Sequence, residues 1–521
     1  MNLFRNFATV GMATLTSRLL GFVRDVVMAM MLGSGPTADA FFVAFRLPNL
    51  FRRLFAEGAF NSAFVPLFAR AVEEDGDDGA RRFAEEILAG LLLVLGLFTA
   101  VALIAAPGFV WVLAPGFASD AEKFALTTEL SRIMFPYLAC MSLTAMVAGM
   151  LQTYGRFALA AFAPSLLNVL LIAGMGLIWW QGSEGGREAA VVLSWSVFIA
   201  GIAQLGAVWF GLRMLGVMPR LVRPRMTVNV RRLLALGLPG LLAGGITQVN
   251  IVIGTAIASM QESAVSYLAY ADRLYQLPLG VVGVAIGVVL LPDISRQLRS
   301  ATPETASTSM NRALEFATAL TLPAAVALAV IPTEIIHVLF ERGAFTAEDT
   351  AATAAALAGF AIGLPAFVLI KVLSPGFFAR EDTKTPMIYS GVSIAVNIVA
   401  SLALFPVFAH VGIAIATSLS GWVNAGLLAG GLWRRGWFRL DGTALRRLPL
   451  LTLAAALMGA VLSLGAWRLA GWIGSPDLEL SVASLGALCL GAGLVYAVVV
   501  HVTGVVDARR FLGLLRRRRR G

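Results

Sequence analysis

Arginine is the residue through which this chain could do chemistry. Between residues 14 and 61 a mostly apolar stretch, TLTSRLLGFVRDVVMAMMLGSGPTADAFFVAFRLPNLFRRLFAEGAFN, carries Arg18, Arg24, Asp25, Asp39, Arg46, Arg52, Arg53 and Glu57. Asp272, Arg273 and Lys371 add three more charges in apolar surroundings. A guanidinium stays charged, and its planar fork takes phosphate oxygens in pairs. Facing hydrocarbon, each charge would cost about 2.5–3.5 kcal/mol at mid-bilayer. The pattern therefore predicts a wet cavity with something bound in it. Arginines exceed acids, which favours a polyanion such as a pyrophosphate. The acids hold the arginines apart or pair across a gate.

Helical spacing supports this. At 100° per residue, Thr14, Ser17, Arg18, Gly21, Arg24 and Asp25 share a wedge of roughly 120°. Asp39, Arg46, Arg53 and Glu57 follow at intervals of seven, seven and four, one stripe of a straight helix. Pro48 is expected to bend that helix. Blander readings stand beside these. Arg18 and Asp25 fit a purely structural link. Arg46, Arg52 and Arg53 fit topology anchors that snorkel to the interface. Asp272 and Arg273 fit a buried interhelical pair, and Lys371 supports either reading. Asn397 and Asn424 fit hydrogen bonds in helix packing.

Other chemistry is excluded. The three lysines, Lys123, Lys371 and Lys384, are not preceded by glycine, so there is no Walker loop. No nucleophile signature occurs. His337, His410 and His501 are scattered, and Cys140 and Cys489 have no disulfide or zinc spacing. No catalytic residue, metal ligand or cofactor is expected, so the chain reads as a transporter rather than an enzyme. A dependence on membrane potential or on a coupling cation is compatible with this reading, and the sequence does not choose between energy sources.

The elements that position these charges are membrane helices. The chain has 521 residues, 58% hydrophobic and 13% charged, with a mean hydropathy of +0.82. That is an all-α polytopic membrane protein. Hydropathy predicts fourteen transmembrane helices between about residues 5 and 503. The net charge of +10 lies mostly in short loops: Arg213 to Arg232, Arg434 to Arg447 and the tail from Arg509 to Arg520. That asymmetry places both termini in the cytoplasm and argues against nucleic acid as partner. The terminal RRRRR run fits an anchor to anionic membrane lipids. Residues 1–30 are not expected to be a cleaved signal, because Arg18, Arg24 and Asp25 interrupt any apolar core.

An internal repeat orders the spans. AFRLPNLF at 44–51 answers ADRLYQLP at 271–278, VPLFAR at 65–70 answers LPDISR at 291–296, Pro136 answers Pro365, and Asn168 answers Asn397. The offsets stay between 226 and 229 residues. Six spans per copy give parallel repeats around a central cavity. The expected organisation is an N-terminal lobe at 1–215, a cytoplasmic linker at 216–230, a C-terminal lobe at 231–436, two extra helices at 437–505 and a basic tail at 506–521. The two lobes are then six-helix, pseudo-symmetric units.

At this point the chain resembles the MurJ (MviN) family of lipid II flippases, within the multidrug/oligosaccharidyl-lipid/polysaccharide exporter superfamily. The resemblance rests on SRLLGFVRD at 17–25, TADAFFVAFRLPNLFRRLFAEGAFNSAFVPLF at 37–68, APGFA at 114–118, RFALAAFAPSLLN at 156–168, YADRLYQLPLGVVGVAIGVVLLP at 270–292 and KVLSPGFFAREDTKTP at 371–386. It implies a bacterial inner-membrane protein that carries lipid II, an undecaprenyl-diphosphate-linked disaccharide pentapeptide, to the periplasmic leaflet, in the company of cell-wall synthesis proteins. It implies Arg18, Arg24, Arg52 and Arg273 as substrate-binding residues. Asp39 and Glu57 match acids of that family's cavity and gate; the spacing and setting of Ser17, Asp25, Arg46, Arg53, Asp272 and Lys371 make them further expected cavity or gate positions. It implies that the last two helices hold the lipid tail. Some relatives place sodium on an aspartate of the seventh helix. Here that span has no acid, only Gln248 and Asn250, which puts such a site in doubt. Alternatives are a flippase for another polyprenyl-diphosphate oligosaccharide, a cation-coupled drug exporter, which would need cavity carboxylates, and a membrane scaffold, which would tolerate loss of the arginines.

Overall fold

The computed structural model describes residues 2–53, 59–182, 185–285 and 303–504. Among them every regular element is helical. In order these are α1 (Asn2–Leu32), α2 (Pro36–Arg52), α3 (Ala59–Ile104), α4 (Ala106–Leu113), a 3₁₀ turn (Pro115–Ser119), α5 (Ala121–Met134), α6 (Tyr137–Thr153), α7 (Phe157–Phe162), α8 (Ser165–Gln181), α9 (Arg187–Met214) and α10 (Val228–Ala258). There follow α11 (Ala264–Ala285), α12 (Pro303–Val330), α13 (Pro332–Phe340), α14 (Ala347–Ala361), α15 (Leu364–Phe378), α16 (Lys384–Arg434), α17 (Gly442–Ile473) and α18 (Leu478–Val502).

Eight helical stretches among the described residues are long and apolar enough to cross a membrane. The fourteen crossings expected from hydropathy are more than that. Two of the eight are single continuous elements that join two helices across a kink. At 1.5 Å per residue a stretch of 51 residues would run to about 76 Å, far beyond a core of about 30 Å. Both break at one non-helical residue: α3 at Gly76 and α16 at Ala409.

The repeat is visible in the element order. α4 and α13 begin at Ala106 and Pro332, α5 and α14 at Ala121 and Ala347, α6 and α15 at Tyr137 and Leu364. Pro136 caps α6 and Pro365 opens α15, each following a short interruption of one longer span. Proline tolerates a helix's first turn, where no partner for its missing N–H is needed. The 291–296 motif lies outside the described residues.

The chain divides into two units, Met1–Ser266 with Arg342–Phe345, and Tyr267–Glu341 with Thr346–Gly521. In the first, α6 and α9 pack together, and α3 packs on α6 and α10. Their core holds Phe64, Phe68, Phe83, Leu88, Met150, Leu151 and Leu212, with Phe64 stacked on Phe68 at 5.6 Å. In the second, α17 and α18 pack on each other through Leu462, Leu485 and Leu488, and Val326 of α12 packs against that core. Tyr496 of α18 donates to the Ala319 carbonyl at 2.9 Å.

Within the first unit two turns dock in a crossed fashion. The turn before α5 meets the end of α10, where the Gly116 amide donates to Ser259 Oγ at 3.0 Å. The turn before α14 meets the end of α1, where the Ala344 amide donates to the Met30 carbonyl at 2.8 Å. A methyl group at Gly116 would strike the Ser259 carbonyl, and one at Gly343 the Met30 carbonyl. Gly116 and Gly343 occupy matching positions of the repeat.

One matched pair differs in kind. Gly155 after α6 and Glu381 after α15 both adopt left-handed backbone, φ 74° and 61°. Each sits in a Schellman turn, with the next amide reaching the carbonyl five residues back: Arg156 to Leu151 at 2.8 Å and Asp382 to Phe377 at 3.1 Å. A side chain in that region costs roughly 1 kcal/mol. Gly155→Glu is expected to destabilise by about that amount, and Glu381→Gly to stabilise by less, because glycine also loosens the unfolded chain. Thermal unfolding of the detergent-purified chain measures both.

Candidate functional site

Helix α1 brings its polar wedge to α8. Ser17, Gly21 and Arg24 fall at helical spacing on one face, and Asn168 of α8 meets all three. Its Nδ2 donates to the Ser17 carbonyl at 2.9 Å. Its Oδ1 accepts from Arg24 Nη1 at 2.9 Å. A Cβ at Gly21 would lie 3.5 Å from its amide. Arg24 also donates through Nε and Nη2 to Asp25 Oδ1, at 3.0 and 2.6 Å. Arg24 and Asp25 are only 7% and 5% exposed. A buried pair is tolerated when its geometry is good and its remaining hydrogens are satisfied. Asn168 supplies part of that. Arg18, six residues earlier, is exposed, as is Thr14.

Helix α2 carries its charges through three environments. Asp39 is fully buried. It accepts from Lys123 Nζ of α5 at 2.8 Å, the Ser263 amide at 3.0 Å, the Ser266 amide at 2.9 Å and Ser266 Oγ at 2.9 Å. The Lys123 ammonium also lies 4.1 Å from the Phe117 ring centroid, a favourable cation–π contact. Arg46 is half-buried and donates to Thr255 Oγ1 of α10, which itself donates to the Ile251 carbonyl at 2.7 Å. Arg52 is half-buried, with Nε donating to Asn49 Oδ1 at 3.2 Å. Pro48 is accommodated inside α2. Arg53 is exposed at its C-cap. Glu57 lies outside the described residues.

The second unit carries the remaining charges. Asp272 and Arg273 are half-buried on α11, where Asp272 accepts from Gln276 Nε2 one turn on. Lys371 is exposed on α15. In the seventh predicted span, the Gln248 side chain is buried and its Oε1 has no hydrogen-bond donor among the described residues.

Sequence reasoning reached Arg24, Asp25 and Asp39 but not their partners. Asn168 stood out only as a repeat match to Asn397. Lys123, in the stretch AEKFALTTEL, looks like an ordinary solvated lysine. Ser266 and Thr255 carry no signal of their own. Asp39 and Lys123 lie 84 positions apart, and nothing local announces such a pairing.

Comparison with known proteins identifies the family. The family model for lipid II flippase MurJ matches residues 28–475. The probable lipid II flippase MurJ of Rhizobium tropici is 51% identical over 519 residues, covering 99% of this chain and 96% of that protein. The lipid II flippase MurJ of Burkholderia cenocepacia is 35% identical over 498 residues, covering 94% and 95%. Among solved structures, a lipid II flippase MurJ in an inward closed conformation superposes with a TM-score of 0.78 at 24% identity, covering 96% of this chain and 99% of that one. An inward-facing multidrug resistance MATE family transporter of the MOP superfamily gives 0.66 at 16% identity, covering 81% and 94%. These two show a shared fold, while the family match and the sequence relatives go further: the chain belongs to the MurJ family of lipid II flippases.

Proposed function

We propose that this chain is a lipid II flippase of the bacterial inner membrane, a multi-pass transporter and not an enzyme. The observation that carries the reading is the sign of the charge on α1 and α2. Asp25 is engaged by Arg24 and Asp39 by Lys123, so arginines outnumber acids there. A doubly charged pyrophosphate suits such a surface, and a cationic drug does not. Lipid II combines that diphosphate with a polyprenyl tail.

In this reading Arg18, Arg24, Arg52 and Arg273 take the diphosphate, while Ser17, Asp25, Asp39, Arg46, Arg53, Glu57, Asp272 and Lys371 shape the cavity and its gates. Phosphate oxygens compete for the Arg24 donors that now serve Asp25 and Asn168. Binding offsets repulsion among the arginines, and alternating access then exposes the other leaflet. The residues 437–505 cradle the tail, and both termini face the cytoplasm. Membrane potential biases any step that moves net charge, by about 2.3 kcal/mol per charge per 100 mV.

Depletion in the host, with labelled cell-wall precursor followed by leaflet, tests this. Precursor is expected to accumulate in the inner leaflet and to clear when the wild-type chain returns. Arg273→Ala is expected to reach normal membrane levels without clearing it. An unchanged leaflet distribution on depletion would refute the reading.

A further inference from the structure

The basic corner where α16 ends belongs to none of the machinery above, yet it is built. Helix α16 closes with a Schellman turn: the Gly436 amide donates to the Trp433 carbonyl at 3.0 Å and the Trp437 amide to the Leu432 carbonyl at 2.9 Å. The chain then folds back along the helix it has left. Phe438 is buried with Leu432 and Met310. Asn311 Nδ2 of α12 donates to the Arg439 carbonyl at 2.8 Å. Ser307 Oγ bridges the Arg439 backbone, 3.2 Å from its amide and 3.2 Å from its carbonyl. Between helix and returning strand of chain lies a cavity of about 900 Å³ lined by Ala429, Gly430, Trp433, Arg434, Phe438, Arg439 and Leu440.

The arginines of this corner divide into two sets. Arg380 donates to the Gly376 carbonyl at 2.7 Å and lies 4.8 Å from the Trp437 ring. Arg435 pairs with Asp382, donates to Thr385 Oγ1 at 3.0 Å and lies 4.8 Å from the centroid of the same tryptophan ring. The Thr385 amide first, then Arg435, hold the Asp382 carboxyl down to about 2, so this pair persists to acid pH. Arg434 and Arg439 differ: their guanidinium groups make no hydrogen bond or ion pair among the described residues, and both are exposed at the cavity. Trp433 is 64% exposed beside them, at the end of a membrane span, where indoles settle at the headgroup level.

We propose that this cavity is a resident site for an anionic diacyl phospholipid, whose phosphate lies between Arg434 and Arg439 and whose glycerol and first methylenes lie on Ala429, Gly430, Phe438 and Leu440. The chemistry matches the lining end for end. Basic pockets at helix ends attract acidic headgroups, while a free anion would gain nothing from the apolar wall. The site shares no residue with the arginines proposed above for the diphosphate. It requires that α16 cross a membrane, not that the chain transport anything. The lipid would brace the elbow that leads into α17.

Native mass spectrometry of the full detergent-purified chain, titrated with phosphatidylglycerol or phosphatidylcholine, tests it. Phosphatidylglycerol is expected to bind in preference, and the double variant Arg434→Gln/Arg439→Gln to lose about thirtyfold in its affinity, the effect of two arginines near an anionic surface. Arg434→Lys/Arg439→Lys retains most of it. Equal binding of the two lipids, an unaltered glutamine variant, or full competition by millimolar inorganic phosphate overturns the proposal. Should the glutamine variant not fold, salt decides on the wild-type chain: added salt weakens phosphatidylglycerol binding selectively, and an equal effect on both lipids refutes the site. A chain that keeps this preference but leaves the precursor distribution unchanged refutes the transport reading alone.

Discussion

Arg24→Ala is expected to abolish growth support when the variant is the only copy in the cell. The substitution removes both donors to Asp25 and the donor to Asn168. Leaving one member of a buried pair uncompensated costs about 3–5 kcal/mol, a large share of a typical total of about 5–15 kcal/mol. Loss of function alone would therefore not separate a binding role from a folding role. The double variant Arg24→Met/Asp25→Asn does so. It removes both charges, and folded protein in the membrane is expected to recover while transport does not. A double variant that grew like wild type would mean the pair only holds α1 to α8. Arg24→Lys keeps the charge without the fork. It can satisfy Asp25 or Asn168 but not both in the present geometry, so intermediate growth with near-normal protein levels is expected.

Asp39→Asn is expected to cause the largest loss of stability of any single change in α2, again about 3–5 kcal/mol because Lys123 is left charged and buried. The reverse change is milder. Lys123→Met leaves Asp39 with the Ser263 amide, the Ser266 amide and Ser266 Oγ, and a carboxylate with several donors tolerates burial. Asp39→Asn/Lys123→Met removes the opposed charges together and is expected to unfold closer to wild type than either single change. The unfolding temperatures of the wild type and the three variants in detergent, set side by side, give the coupling. Additive effects of the two single changes would show that Asp39 and Lys123 do not act as a pair.

The class of fold and the location of the charges were legible because hydrocarbon is an unforgiving solvent. Eleven charged positions in apolar runs could not be accidental, and an offset repeated from Pro136 to Asn168 exposed the duplication. Tertiary pairing was not legible. Asn168 is an unremarkable polar residue in an apolar helix until Arg24 meets it. Lys123 is buried although its neighbours Glu122 and Ala121 are exposed, and only the reach of its side chain to Asp39 explains the difference. Glu381 hid its kinship with Gly155, since the backbone they share is a torsion angle and not a residue type. Hydropathy also read fourteen crossings where length and composition of the described helices single out eight stretches; the breaks at Gly76 and Ala409 account for part of the difference.

The crossed docking of Gly116 on the end of α10 and of Ala344 on the end of α1 constrains how the protein is born. The first helix leaves the ribosome with its Met30 carbonyl awaiting an amide some ~310 residues downstream, roughly 15–60 s of synthesis at 5–20 residues per second. Throughout that interval the early helices must be held in the bilayer in an unfinished arrangement, and insertion machinery that released them separately would have to rely on later diffusion to bring the ends together.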